Sequence, residues 1–349
     1  YEQSNLGLNW RNTMLSSKTL WESPLSITYR PVVNSEQEKA LKLWQTAFKP
    51  KSEGYFERYF LSTASPHYQE GDTLGAWSDD NLLVSVVHIR RMILKSANNE
   101  TYLCGVVSNV ATLAEFRNQG LSRTLLKQAI KKMEQEAFDI SVLGTGRSHH
   151  YLSLGWQLLT TRIQYVINMP EKISSCNYEM SWISASFISF YDQLLELYSA
   201  HPRSYQFDRD SPLMFEHWIG WHWKEDFAYI FMLPNKKGYV VISQPDGKQS
   251  KVCISEWRAH DTDSEITLLS MAATEIRRRY GHKSFLLHTL PQYATLKSLE
   301  WDNNDLISEE NQDIMIRNIR LSDDLFENIK AAFETENEKA ATIWPGEYF

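Results

Sequence analysis

The run Val107-Ser108-Asn109-Val110-Ala111-Thr112, followed closely by Arg117-Asn118-Gln119-Gly120-Leu121-Ser122, constrains this chain more than any other stretch. The first part has the β-branched composition of a strand. Downstream, Leu121, Leu125, Leu126, Ala129, Ile130 and Met133 recur at helical spacing and predict one apolar face of a helix that ends near Ala137. A turn of the form Arg-x-x-Gly-x-small between them turns several backbone N–H groups toward an anion at the positive end of the helix dipole. A pyrophosphate is the natural occupant.

The chain of 349 residues exceeds the usual single-domain size, so two domains are expected. With 42% hydrophobic, 13% aromatic and 23% charged residues, the composition is that of a globular protein. No apolar run approaches the roughly 20 residues needed to cross a bilayer, so no membrane partner is expected. The start Tyr1-Glu2-Gln3-Ser4-Asn5 has neither a basic nor an apolar leader segment, and no signal peptide is read. Cys104, Cys176 and Cys253 are odd in number and lack paired metal spacing, which fits a reducing, cytoplasmic setting and predicts no metal site. A net charge of −7 gives no basic footprint for nucleic acid.

Strands and helices alternate, with no short-period repeat. Ser26–Val33 is a strand candidate, Ser35–Phe48 has helix spacing, and Tyr55–Ala64 continues it. Thr73–Trp77, Leu82–Leu94 and Tyr102–Thr112 then read as strands, Ile140–Leu143 as a buried strand, and Leu158–Ile167 as a closing strand. The polar stretch between Pro170 and Asn177 marks a domain boundary. The second half repeats the order: helices around Phe187–Ser199 and Met214–Trp223; strands Phe227–Leu233, Gly238–Gln244 and Lys251–His260; a helix Ser264–Tyr280; and a strand Phe285–Leu290. Asn235-Lys236-Lys237-Gly238 and Pro245-Asp246-Gly247-Lys248 are hairpin turns. The resulting division is an N-terminal extension (1–24), a first domain (25–170), a second (178–320), and a C-terminal helix and tail (321–349).

The succession of strand, Arg117-x-x-Gly120-x-Ser122, helix, strand and Tyr151-x-x-Leu154-Gly155-Trp156 resembles the acetyl-coenzyme A site of the GNAT superfamily of N-acetyltransferases. The likeness is specific over about Tyr102–Ile167. Ser122, where the family has Gly or Ala, still lets a phosphate approach. The second half reads His260-Asp261-Thr262-Asp263-Ser264 at the corresponding place, and two aspartates would repel a pyrophosphate. The fold implied is α/β (α+β): two GNAT-like domains, each a mixed, mostly antiparallel sheet flanked by helices, with one cofactor site. Such a tandem resembles the fungal lysine N-acetyltransferases and, more distantly, the mycobacterial Eis acetyltransferases.

The resemblance implies that Val110, Ala111 and Thr112 run along the pantetheine of acetyl-CoA and that Arg117, Asn118, Gln119, Gly120, Leu121, Ser122 and Arg123 hold its pyrophosphate. A bulge near Asn109 would splay the strand and open the slot. Tyr151, protonated at neutral pH, is the candidate acid for the departing thiolate, or a core ring with its hydroxyl at the surface. The base is open. His88 and His149 or His150 have unperturbed values in the useful range, and the terminal carboxylate of Phe349 is a further candidate, as in the Eis proteins. In His217-Trp218-Ile219-Gly220-Trp221-His222-Trp223 the two histidines fall on different faces of an α-helix, which argues against a zinc site, and the tryptophans read as core or interdomain filling or as a wall of the amine pocket. The acceptor expected is a small-molecule amine, free lysine or another amino acid, attacked directly on the thioester because no Cys lies in the motif. Peptide, protein or aminoglycoside acetylation and a non-catalytic acyl-CoA sensor are the alternatives. Oligomeric state is not legible.

Overall fold

The structure, a computed structural model, describes residues 26–50, 52–159, 165–169, 182–244, 251–301, 314–335, 337–344 and 347. The expectations for the extension 1–24, the boundary at Pro170–Asn177, Cys176, the turn Pro245–Lys248 and Phe349 fall outside those residues.

The first half supplies β1 (Thr28–Pro31), α1 (Gln37–Phe48), β2 (Thr73–Trp77), β3 (Leu83–Ser96), β4 (Thr101–Thr112), α2 (Leu121–Gln135), β5 (Ile140–Gly144), α3 (His149–Leu152), β6 (Gln157–Leu158) and β7 (Tyr165–Asn168). The second supplies β8 (Ile183–Ser184), α4 (Tyr191–Ala200), β9 (Tyr205–Phe207), α5 (Pro212–Met214), a π-helical turn (Phe215–Gly220), α6 (Trp221–Glu225), β10 (Tyr229–Met232), β11 (Gly238–Ser243), β12 (Cys253–Ala259), α7 (Thr262–Tyr280), β13 (Ser284–Leu287), β14 (Ile314–Asn318) and α8 (Asp323–Glu334). Two mixed sheets flanked by helices result, in agreement with the expected fold class. One sheet runs β1-β2-β3-β4-β5-β14-β6 with β9 beside the far end of β3, and the other runs β7-β13-β12-β11-β10-β8. Among the paired strands described, all are antiparallel except β4 with β5 and β12 with β13.

The faces of the first sheet follow from strand alternation. Leu121, Leu125, Leu126 and Met133 of α2 pack on Leu74, Val87, Ile89 and Val107. Ala40, Leu41 and Trp44 of α1 pack on the other face with Val86 and Ala111, and that core continues into the second sheet. Phe326 and Ile329 of α8 cover Ile316 of β14 and Phe207 of β9. Cys104 is buried there, as befits a core thiol outside the motif.

Three local expectations are corrected. Leu158–Ile167 is not one closing strand: Gln157–Leu158 pairs with β14 in the first sheet, whereas Tyr165–Asn168 pairs with β13 in the second. The place beside β5 is taken instead by β14, from far along the chain, which the sequence reading did not foresee. Tyr55–Ala64 carries only a 3-10 turn at Glu57–Tyr59. Gly54 enters it with φ +77°, and Phe56, Arg58, Tyr59 and Ala64 are all buried, more than one helix face could hide. Lys236 with φ +55° makes the predicted turn between β10 and β11.

Candidate functional site

β4 and β5 run parallel but pair only over Cys104–Val106 and Ile140–Val142. Past that point no ladder hydrogen bonds join them, so the sheet parts and Asn109, Val110 and Thr112 are left half-buried along one wall. The cause lies on the other side of β4. Its register with β3 slips between Val86/Ala111 and His88/Ser108, where Asn109 takes φ +52°. This extra residue is a bulge, which bends and twists its strand. Trp44 holds it by donating from Nε1 to the Asn109 carbonyl at 2.8 Å.

Both chain segments leaving the parted strands lead into helices at the same end. Asn118 (φ +62°) and Gly120 (φ +77°) turn the chain into α2. Such a backbone suits Asn and Gly, and a β-carbon on Gly120 would meet open space. No side chain caps α2, and no acceptor among the described residues takes the N–H groups of Leu121, Ser122 and Arg123. These donors converge with the helix dipole on the open end. In a chain of net charge −7, exposed Arg117, Arg123 and Arg147 gather here. Arg117 Nε donates to the Thr112 carbonyl at 3.2 Å, bracing the turn against the end of β4. These residues fit a pyrophosphate.

After β5, α3 lies against the start of α2. Arg123 Nη1 donates to Ser153 Oγ at 2.8 Å, and Ser122 Oγ lies 3.4 Å from His150 Nε2. Tyr151 is buried in the core shared with Leu121, Leu143 and Trp156, edge-on to the Trp156 ring at 6.1 Å. Burial raises its phenol above the ordinary value, so it is protonated throughout the neutral range. Burial likewise lowers His150, with His149, Arg123 and Arg147 adding to the effect. His149 is exposed.

His88, whose unperturbed value would place it among candidate bases, is shut away from solvent and made a weaker base. It is fully buried on β3, opposite Ser108, with Nδ1 2.9 Å from Thr73 Oγ1. Trp44, Tyr59, Phe60 and Tyr68 surround the ring at 5.3–6.1 Å. Burial first, then Arg90, pushes its pKa down to about 3. The unfolded chain, with His near 6.5, therefore takes up this proton first as pH falls. Stability from His88 is full above about pH 6.5 and is lost as pH falls toward 3. His88→Gln should flatten that part of the Tm–pH curve, read by calorimetry between about pH 7 and 4. An unchanged slope would mean that His88 does not stay neutral in its aromatic box.

The tryptophan cluster is core, as expected: Trp218 and Trp223 are buried, in a segment whose π-helical turn the sequence did not announce. Gly220 there lets the Tyr191 phenol approach the backbone. No group of three or more His, Cys, Asp or Glu gathers to hold a metal among the described residues. No helix among them is long and apolar enough to cross a membrane. The sequence reading missed Arg58 and Arg90, buried against Trp218. Its only signal for them was two charges set among apolar and aromatic neighbours.

Residues 28–159 match the model of the acetyltransferase (GNAT) domain. No curated protein matches the sequence significantly. Among solved structures, a probable N-acyltransferase from Enterococcus faecalis is similar at TM-score 0.61 and 16% identity, over 84% of this chain and 73% of that one. Eis1 from Mycobacterium abscessus is similar at 0.59 and 13%, over 88% and 76%. A GCN5-related N-acetyltransferase from Kribbella flavida follows at 0.57 and 15%, over 84% and 71%. At such identities the likeness is one of fold, and it covers both sheets: the chain has a two-domain GNAT-like fold, and residues 28–159 carry the match to the acetyltransferase domain itself.

Proposed function

We propose that this chain is an acetyl-CoA-dependent N-acetyltransferase acting on a small amine such as free lysine or another amino acid. The observation that carries the reading is the parting of β4 from β5 directly over the uncapped first turn of α2. That arrangement offers an extended backbone edge for a pantetheine arm and converging N–H donors for a pyrophosphate. Bound acetyl-CoA supplies the activated acyl thioester. Around it, Val110–Thr112 orient the arm, Gln119–Arg123 and Arg117 hold the phosphates, and Tyr151 keeps a proton for the leaving sulfur.

Calorimetric titration should show acetyl-CoA binding, and thiol release should be seen with amino acids in a panel that includes polyamines, aminoglycosides and peptides. Gly120→Val should weaken acetyl-CoA binding about tenfold, because a β-branched residue cannot hold φ +77° cheaply and the N–H groups would turn away. Binding without thiol release for any amine would favour an acyl-CoA sensor. Absence of binding would sink the reading altogether.

A further inference from the structure

Among the described residues, two buried cations near the bulge of β4 have no ion-pair partner. Arg58, in the 3-10 turn after α1, and Arg90, on β3, are 2% and 1% exposed. Arg58 donates only to backbone carbonyls, from Nε to Tyr55 at 3.2 Å and from Nη1 to Trp218 at 3.5 Å. Arg90 Nη2 donates to the Ala64 carbonyl at 3.1 Å. Arg58 Nη2 and Arg90 Nε and Nη1 are buried without an acceptor among the described residues. Among the described residues neither guanidinium forms an ion pair. Glu225 acts on Arg58, and Asp210 and Glu347 on Arg90, at longer range only. Arg91 and Arg209, by contrast, are buried against Asp72 and against Glu256 with Glu347.

The two cations also crowd one another. Both lie over the Trp218 ring, with Cζ 4.6 Å from its centroid for Arg58 and 2.9 Å for Arg90, and Arg58 also approaches Tyr55 and Trp221 at 4.9 Å. Cation–π contacts offset part of the lost hydration. They do not neutralise charge. An uncompensated buried ion costs several kcal/mol, so two adjacent ones are a standing strain on the fold that an anion would relieve. The location says which anion. Arg90 shares a strand face with His88, whose ring packs on Trp44, and Trp44 grips the bulge at Asn109. The pair thus lies on the α1 face of the sheet, beside the place where the slot opens. Tyr55, under Arg58, also lines a surface cavity with Gln45, Ser52, Phe56 and two carboxylates, Glu53 and Glu57, which suit the acceptor's ammonium rather than its carboxylate.

We propose that Arg58 and Arg90 form the subsite for a carboxylate on the acceptor, between the Trp218 wall and the bulge of β4. The planar guanidinium matches a carboxylate with paired N–H donors. Resting on the acyltransferase reading, this makes the acceptor an amino acid rather than a simple amine, polyamine or aminoglycoside. Occupancy requires the Tyr55–Phe56 edge, which borders the cavity, to move aside.

Direct titration of the full chain with L-lysine and with cadaverine, which lacks only the carboxylate, tests this without turnover, and a panel of amino acids and their amides extends it. The acid should bind at least about tenfold more tightly than its carboxylate-free partner in the best pair. Arg90→Met and Arg58→Met should bring that ratio toward one by raising the KM of the acid, with the KM of acetyl-CoA unmoved. Each should also hold or raise Tm, because an unpaired buried cation is removed, whereas a merely structural arginine would lower it. Equal binding of acid and amide across the panel, no binding by either, or an unchanged ratio in both variants overturns the proposal. If acetyl-CoA binds and amines are acetylated while carboxylates confer nothing, this subsite falls and the acyltransferase reading stands. If acetyl-CoA does not bind, that reading falls on its own.

Discussion

Tyr151→Phe is expected to lower kcat by about 10²- to 10³-fold while leaving the KM of acetyl-CoA nearly unchanged, the range typical of losing a positioned general acid. The substitution is a clean one. The phenylalanine ring keeps the edge-on contact with Trp156 and the packing on Leu121 and Leu143, so the core around α3 should survive. What is lost is a phenol, on α3 after β5, whose pKa burial raises above the ordinary value. A thiolate leaving unprotonated from acetyl-CoA is a poor product, and a donor at hydrogen-bond distance removes that barrier. Steady-state kinetics at several pH values check it. Wild-type kcat in the variant, with Tm intact, would leave Tyr151 as a packing residue only.

Arg209→Met is expected to cost about 3–5 kcal/mol of stability, the usual penalty for leaving buried charge without its partner. Arg209 Nη1 and Nη2 donate to the two oxygens of Glu256 at 2.8 and 2.6 Å, and Nη2 also reaches Glu347 at 2.9 Å. Tyr239 donates to Glu256, and Tyr198 to Glu347 at 3.1 Å. All of these side chains are buried. Even with Arg209 present, burial pushes the Glu347 carboxyl above its usual range, against the pull of the cation. The network also bridges the sheets, because Arg209 follows β9 on the first sheet while Glu256 lies on β12 of the second. Denaturant unfolding should show the loss, together with earlier separation of the two halves. Adding Glu256→Gln and Glu347→Gln should recover part of it, since neutral amides need no counter-charge. A loss below about 1 kcal/mol would mean that water reaches the carboxylates when Arg209 is gone.

Much of the first sheet around the glycine turn was legible because its determinants are local. A β-branched run, a glycine at a left-handed position and an apolar face at helical spacing each act over a few residues, and β4, Gly120 and α2 came out as those rules require. The bulge at Asn109 was expected from the resemblance, and it falls at a residue that tolerates positive φ better than most. His88 shows the other case. Its unperturbed value suggests a titratable histidine, but Trp44, Tyr59, Phe60 and Tyr68 come from elsewhere in the chain and exclude the water a charged ring needs.

By itself the sequence determined the strand, the glycine turn and its helix, and the repetition of that element order without a second Arg-x-x-Gly turn. Only the tertiary structure decided that β14 completes the first sheet, that Tyr165–Asn168 is surrendered to the second, and that Arg58 and Arg90 meet over Trp218. Turn and cap preferences are properties of neighbouring residues. Strand partners and the burial of a charge depend on segments more than a hundred residues apart, and no periodicity encodes which of them will meet.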